Sequence, residues 1–283
     1  MRSSILLFLA AASFAQSVPA PIFTDPPADA AHPAKMAVLH IPSHGVSING
    51  LIYQPSGAGP HPTLIVCHGL PGNEKNLDLA QAVRRAGWNA VTFNYRGSWG
   101  SPGVFRFAQT LEDAAAVLTF LRDPANAARL RIDTHRIAMA GHSMGGWVVA
   151  HTAAHDRKLV GVILISAWNA GRQGASHKAA VAEMADNMES LAGVTAEGMA
   201  SELETNSKTF GLENTAEGLS RAPLLALTAN DGLAPDTDAL VKAIEAKGGH
   251  NVKAMHAATD HSWSDRRIFL ESTVIDWLAT LRQ

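Results

Sequence analysis

Apolar positions fall along the chain in two alternating rhythms. Strand-like runs occur at 63–67, 88–93, 136–140, 159–165, 223–228 and 252–257, and those at 63–67 and 159–165 are apolar throughout, as expected of strands covered on both faces. Between them lie stretches with helical spacing. Residues 77–86 form one. Residues 107–121 form another, with apolar side chains at 111, 114, 117, 118 and 121. Residues 145–154, rich in small and β-branched residues, are read as a helix, and 236–247 as a further one ending at Gly248-Gly249. A last helix spans 266–281, with apolar positions 268, 270, 274, 275, 278 and 281. Strand–helix alternation of this kind predicts βαβ units and a mostly parallel sheet with helices on both faces. Ahead of it, 36–41 and 46–53 read as two strands joined by Pro-Ser-His-Gly, a hairpin at the sheet edge.

Two segments break the rhythm. Residues 169 to about 221 contain no strand-like run and are rich in Ala, Glu, Met, Ser and Asn. They predict two to four short helices inserted between sheet strands, placed to cap the sheet's carboxyl edge, where open α/β sheets bind ligands. Residues 16–35 are rich in Pro and Ala and read as a surface-draped arm or linker. At the start, Arg2 precedes an apolar stretch over 5–12, followed by Ser13-Phe14-Ala15. That is the pattern of a secretory signal peptide, residues 1–15, with cleavage after Ala15. The stretch is too short for a stable membrane anchor, so the protein is expected to be secreted or periplasmic. Residues 36–283 then form one domain carrying the 169–221 insert.

Composition narrows the function further. The 283 residues are 47% hydrophobic and 17% charged, with a net charge of −2. This is enough apolar material for a sizeable core. There is no basic stripe, which argues against nucleic acid as a partner. The single cysteine, Cys67, lies in the apolar run Thr63–Cys67. It is expected to be a small buried hydrophobe and not a reactive thiol.

The candidate chemistry begins at Gly141-His142-Ser143-Met144-Gly145-Gly146, between a predicted strand and a predicted helix. A serine hydroxyl becomes a nucleophile only when it is held exposed beside a base. Gly-x-Ser-x-Gly does this by setting the serine on a sharp strand-to-helix turn. The flanking glycines let strand and helix crowd together. Such a serine needs a base, an acid that orients the base, and donors for the oxyanion. Asp231 follows a late strand in Asn230-Asp231-Gly232-Leu233-Ala234-Pro235 and is the candidate acid. Asp236 is its rival, better placed as the N-cap of the next helix. His261, in Thr259-Asp260-His261-Ser262-Trp263 after the last strand, is the candidate base. His250 and His256 lie before and within that strand, and Asp260 reads as a loop carboxylate. The oxyanion donors are expected to be the Met144 amide and the Leu70 amide in His68-Gly69-Leu70-Pro71-Gly72, with His68 structural.

Together with Asn94-Tyr95-Arg96-Gly97, these motifs resemble the α/β-hydrolase superfamily, over residues 40–283 apart from the insert. The loop 95–103 is similar to one in bacterial esterases and prolyl-oligopeptidase-like catalytic domains. The resemblance implies an α/β-hydrolase fold and acyl transfer through Ser143, His261 and Asp231. A serine at the nucleophile position argues against haloalkane dehalogenase or epoxide hydrolase chemistry. No metal or organic cofactor is implied. The large N-terminal domain that screens substrates in prolyl-oligopeptidase-like enzymes has no counterpart here. That favours a stand-alone esterase acting on a small-molecule ester over an aminopeptidase acting on short peptides. A non-catalytic ligand-binding member of the fold is the remaining alternative. Arg96, Trp99, Phe105, Trp168 and Trp263 could line the site, although such residues more often serve packing.

Overall fold

The computed structural model describes residues 18–281. The proposed signal peptide, residues 1–15, lies outside the described residues. Eight strands form one sheet in the order β1-β2-β4-β3-β5-β6-β7-β8. They are β1 Lys35–Ser43, β2 Val46–Gln54, β3 His61–Cys67, β4 Asn89–Phe93, β5 Ile132–His142, β6 Gly161–Ile165, β7 Leu224–Ala229 and β8 Val252–Ala257. β2 pairs antiparallel with β1 and β4, and the other pairings are parallel. The hairpin β1–β2 occupies one sheet edge, as its turn chemistry predicts.

The continuous apolar runs are explained by the two faces of this sheet. Successive residues of a strand point to opposite sides, so Ile65, Cys67, Met139, Val162 and Leu164 enter one core, while Leu64, Val66, Ala138, Ile163 and Ile165 enter the other. Helices α1 (Leu77–Arg85) and α10 (Arg267–Thr280) cover the second core. Helices α2 (Phe107–Arg122), α3 (Pro124–Leu130), α4 (Met144–His155) and α9 (Ala234–Ala246) cover the first. Cys67 is fully buried, and burial pushes its thiol up to about 12, so it is inert as a nucleophile.

Helix α3 was not anticipated. Its seven residues are too few for a periodic signal, yet its start is spelled out: the Asp123 carboxylate accepts the Asn126 N–H at 2.9 Å, with Pro124 in the first turn. Strand β5 begins at Ile132, four residues before the apolar run, because Ile132 pairs with His61 beyond an irregularity between His61 and Thr63. Asp236 is a correction: Leu233 occupies the N-cap of α9, and the Asp236 carboxylate instead bonds Arg172 at 2.8 Å.

Residues 169–221 contain α5 (Ala170–Gln173), α6 (His177–Ala185), α7 (Ala196–Thr205), a 3₁₀ turn at Leu212–Thr215 and α8 (Ala216–Leu219). The segment is tied down at several points. Ser190 Oγ donates to the Pro71 carbonyl at 3.0 Å, and Asn73 Nδ2 to Glu189 at 3.1 Å. Backbone bonds from Trp99 to Ser190 and from Ala192 to Gly97 join it to the loop after β4. These contacts attach the insert to loops at the carboxyl ends of β3 and β4.

Candidate functional site

Ser143 sits where β5 ends and α4 begins, with φ 56° and ψ −121°. A non-glycine residue in this region stores about 1–3 kcal/mol of strain and persists only where its surroundings enforce it. Here the Ser143 N–H donates to Ile165 O at 3.0 Å, and Ser143 O accepts from Trp168 N–H at 3.0 Å. Two glycines make the turn possible. A Cβ on Gly141 would lie 2.0 Å from the Gly145 carbonyl oxygen, and one on Gly145 would lie 2.1 Å from that of Cys67. The backbones of β3, β5 and α4 therefore meet with no room for a side chain. Gly145→Ala is expected to destabilise the fold by more than about 4 kcal/mol. Thermal denaturation checks this, and a near-native melting temperature would contradict the packing described.

The structure brings Asp231 and His261 into direct contact. His261 Nδ1 lies 2.9 Å from Asp231 Oδ2. Asp231 Oδ1 accepts the Leu233 N–H at 3.0 Å, so the residue also closes its own turn. Burial alone would raise this carboxyl. Hydrogen bonds from His261, the Leu233 N–H and the Ser166 hydroxyl outweigh it and hold Asp231 at about 2. It is thus a carboxylate throughout the pH range in which a histidine ordinarily titrates. Such a carboxylate accepts a hydrogen bond from Nδ1–H of the ring, which fixes the proton on Nδ1 and leaves Nε2 with its lone pair free.

Two supporting residues were missed by sequence reasoning. Ser166, at the end of β6 with φ 45°, is buried. Its Oγ accepts the Trp263 indole N–H at 3.1 Å and its hydroxyl reaches Asp231. It thereby joins the acid loop to the histidine loop. A buried serine one residue past an apolar strand was its only signal. His142 is the second. Burial, with His261 beside it, lowers it to about 4, so it is neutral, and its Nε2–H donates to the His261 carbonyl at 2.8 Å. The two imidazole rings are 4.7 Å apart, which puts Ser143, the next residue, at the His261 loop. The Arg267 guanidinium also holds this loop, donating to Ser262 O at 3.1 Å and Asn76 Oδ1 at 2.9 Å.

Gly69 lies directly against the serine: a Cβ there would be 3.0 Å from Ser143 Cβ. Leu70, the next residue, continues that loop. The Met144 N–H opens α4, where no carbonyl of a preceding turn exists to receive it. Among the described residues, neither the Leu70 nor the Met144 amide donates to a backbone carbonyl. His68 is structural. Burial lowers it to about 4, and its Nδ1–H donates to Gly69 O at 2.8 Å. The loop is braced from outside by Trp99, whose indole N–H donates to Pro71 O at 2.6 Å.

Four of the five possible lining residues take the more common role, in packing. Arg96 is buried and committed to Asp113, through Nε at 2.7 Å and its backbone N–H at 2.8 Å, and to Glu112. Phe105 and Trp168 pack on Phe107, at ring separations of 5.4 and 5.6 Å. Trp263 is wholly buried. All four serve packing. His256 and Asp260 also have structural partners: His256 bonds Thr228 and Asn230, each at 2.9 Å, and Asp260 caps the Ser264 N–H at 2.8 Å. Among the described residues, no group of three or more His, Cys, Asp or Glu side chains is placed to hold a metal ion. No helix of the described residues is long and apolar enough to cross a membrane.

A model described as the alpha/beta hydrolase family matches residues 64–281. The chain is 33% identical over 125 residues to an uncharacterized 31.7 kDa protein of Escherichia coli, covering 42% of this chain and 41% of that protein. It is 31% identical over 127 residues to the quorum-quenching protein AidA of Acinetobacter baumannii, covering 43% and 40% respectively. The match thus spans about two fifths of the length of these relatives. A structure from work on two fungal esterases of Rhizomucor miehei superposes with a TM-score of 0.66 at 18% identity, covering 88% of this chain and 84% of that one. At that identity the likeness is one of fold.

Proposed function

The chain belongs to the alpha/beta hydrolase family, and on that premise we propose that it is a secreted serine hydrolase of carboxylic esters, working through an acyl-enzyme. Ser143 Oγ attacks the acyl carbon while His261 Nε2 takes its proton. Asp231 holds the ring in the required tautomer and stabilises the imidazolium that forms. The Leu70 and Met144 amides receive the charge developing on the carbonyl oxygen, helped by the N-terminal end of α4. His261 then protonates the leaving alcohol. A water molecule, deprotonated by the same ring, attacks the acyl carbon, and Ser143 leaves. The observation that carries this reading is the 2.9 Å contact between His261 Nδ1 and Asp231, beside a serine held at φ 56°. No hydrogen bond joins the Ser143 hydroxyl to another side chain among the described residues. Such contacts are commonly long before substrate binds.

A fluorophosphonate probe tests the nucleophile. The folded protein is expected to carry the label on the peptide containing Ser143. An unlabelled Ser143 in folded protein would instead favour a non-catalytic, ligand-binding role for this fold. Export is tested by sequencing the amino terminus of the mature protein, expected to begin at Gln16.

Ser166 offers a finer test. Its hydroxyl is one of three donors to Asp231. A hydrogen bond to a charged group contributes about 1.5 kcal/mol or more, roughly tenfold in rate. Ser166→Ala is therefore expected to lower kcat about tenfold with KM little changed. Steady-state kinetics on a short ester would detect it, and an unaltered kcat would remove Ser166 from the account.

A further inference from the structure

A cavity of about 290 Å³ opens beside the loop that carries Leu70, and the mechanism above makes no use of it. Its walls are mostly apolar: Val38, Leu51, Val66, Leu77 and Phe93 line it, with His68 at one side. One cation, Lys75, lines it as well. The Lys75 ammonium lies 4.1 Å from the centroid of the Trp99 ring and donates to Asn94 Oδ1 at 3.1 Å. Burial lowers its proton affinity. Among the described residues no carboxylate pairs with it. The adjacent Glu74 is engaged by the Asn76 N–H.

The side-chain amide donors on the wall are already occupied, while His68 Nε2 has no hydrogen-bond partner among the described residues. Asn49 Nδ2 donates to Gly100 O at 2.9 Å and Asn94 Nδ2 to Trp99 O at 3.2 Å. His68 is neutral and its Nδ1–H is spent on Gly69. A partly buried ammonium has three N–H donors, and one side-chain oxygen with one ring face leaves it short of a counter-charge. Removing a cation from water without an anion is costly. A ligand that brings a carboxylate to Lys75 and a hydrocarbon body to the wall would relieve that cost and bury apolar surface together.

We propose that this cavity is a binding site for a short aliphatic monocarboxylate, its carboxylate on Lys75 and its chain against Leu51, Val66 and Phe93. The site is separate from the Ser143 chemistry and does not depend on it. Its wall residue His68 precedes Gly69, which packs on Ser143, so an occupied cavity abuts the oxyanion loop.

Calorimetric titration of the full chain with hexanoate tests the assignment, with hexanol as the uncharged control. Saturable binding of hexanoate is expected, at least tenfold tighter than hexanol. Lys75→Met keeps the length of the side chain and removes the charge, and is expected to weaken hexanoate at least tenfold. Val38→Glu sets a carboxylate at a lining position that is 58% exposed, where the fold tolerates it, and is expected to weaken hexanoate similarly. Absence of saturable hexanoate binding to the native chain overturns the site. So does equal affinity for hexanol, or binding that survives both substitutions. Since none of these measurements involves turnover, they stand whatever the fate of the esterase assignment.

Discussion

Ser143→Ala is expected to lower the hydrolysis of short p-nitrophenyl esters by roughly 10⁴-fold or more, as when the members of a catalytic unit act together. The structure makes this substitution unusually clean. Alanine keeps the Cβ, so the strain of φ 56° at the β5–α4 junction is the same in both proteins. The hydroxyl forms no hydrogen bond with another side chain among the described residues, so its removal leaves no buried partner unsatisfied. The backbone bonds from Ser143 to Ile165 and Trp168 are unaffected. The melting temperature should therefore be close to that of the parent while the rate collapses. What remains would come from the Leu70 and Met144 amides polarising a bound ester toward water. Near-native turnover by this variant would end the nucleophile assignment. A collapse of both rate and melting temperature would mean that the turn itself had been lost.

How far the sequence reaches can be judged from particular elements. The parallel sheet was legible because burial on both faces leaves continuous apolar runs, and these runs place β3, β5, β6 and β7 within a few residues. The residues flanking the turn were legible too: at Gly145 a Cβ would meet the Cys67 carbonyl, a constraint written as a single letter. Asp231 and His261 could be chosen only by chain order, and their contact is a tertiary fact. Ser166 and His142 escaped because their partners, Asp231, Trp263 and the His261 carbonyl, come from loops 65 or more residues away in sequence. Whether the aromatics line the site or pack could not be decided from sequence, for a related reason. Composition cannot separate an aromatic at a cleft from one in a core, and Phe105, Trp168 and Trp263 are core. Arg96 cannot be assigned from sequence either, because its partner Asp113, a wholly buried acid on α2, is brought to it by the fold.

Asp231→Asn should be nearly as severe as loss of the nucleophile, lowering kcat by roughly 10³–10⁴-fold through the wrong tautomer of the base. The surroundings of the carboxylate force that outcome. Oδ1 already accepts the Leu233 N–H at 3.0 Å, and the Ser166 hydroxyl also donates to the carboxylate. An asparagine there satisfies the Leu233 donor only by placing its carbonyl oxygen at Oδ1. Its NH₂ group then faces His261 Nδ1. Nδ1 must accept, the ring proton moves to Nε2, and Nε2 can no longer take a proton from Ser143. Substrate binding does not involve this contact, so KM should change little. The same substitution has a second signature, in stability. The folded carboxyl, held at about 2, lies below its ordinary value of 3.8. A carboxyl lowered in the folded state stabilises the fold fully above its unfolded value, and that contribution is lost as pH falls through the folded one. The gap in melting temperature between the parent and Asp231→Asn should therefore be widest above about pH 4 and close as pH falls toward 2. A gap independent of pH would mean that the charge of Asp231 contributes nothing to its loop. Retained kcat would mean that His261 finds its tautomer without Asp231.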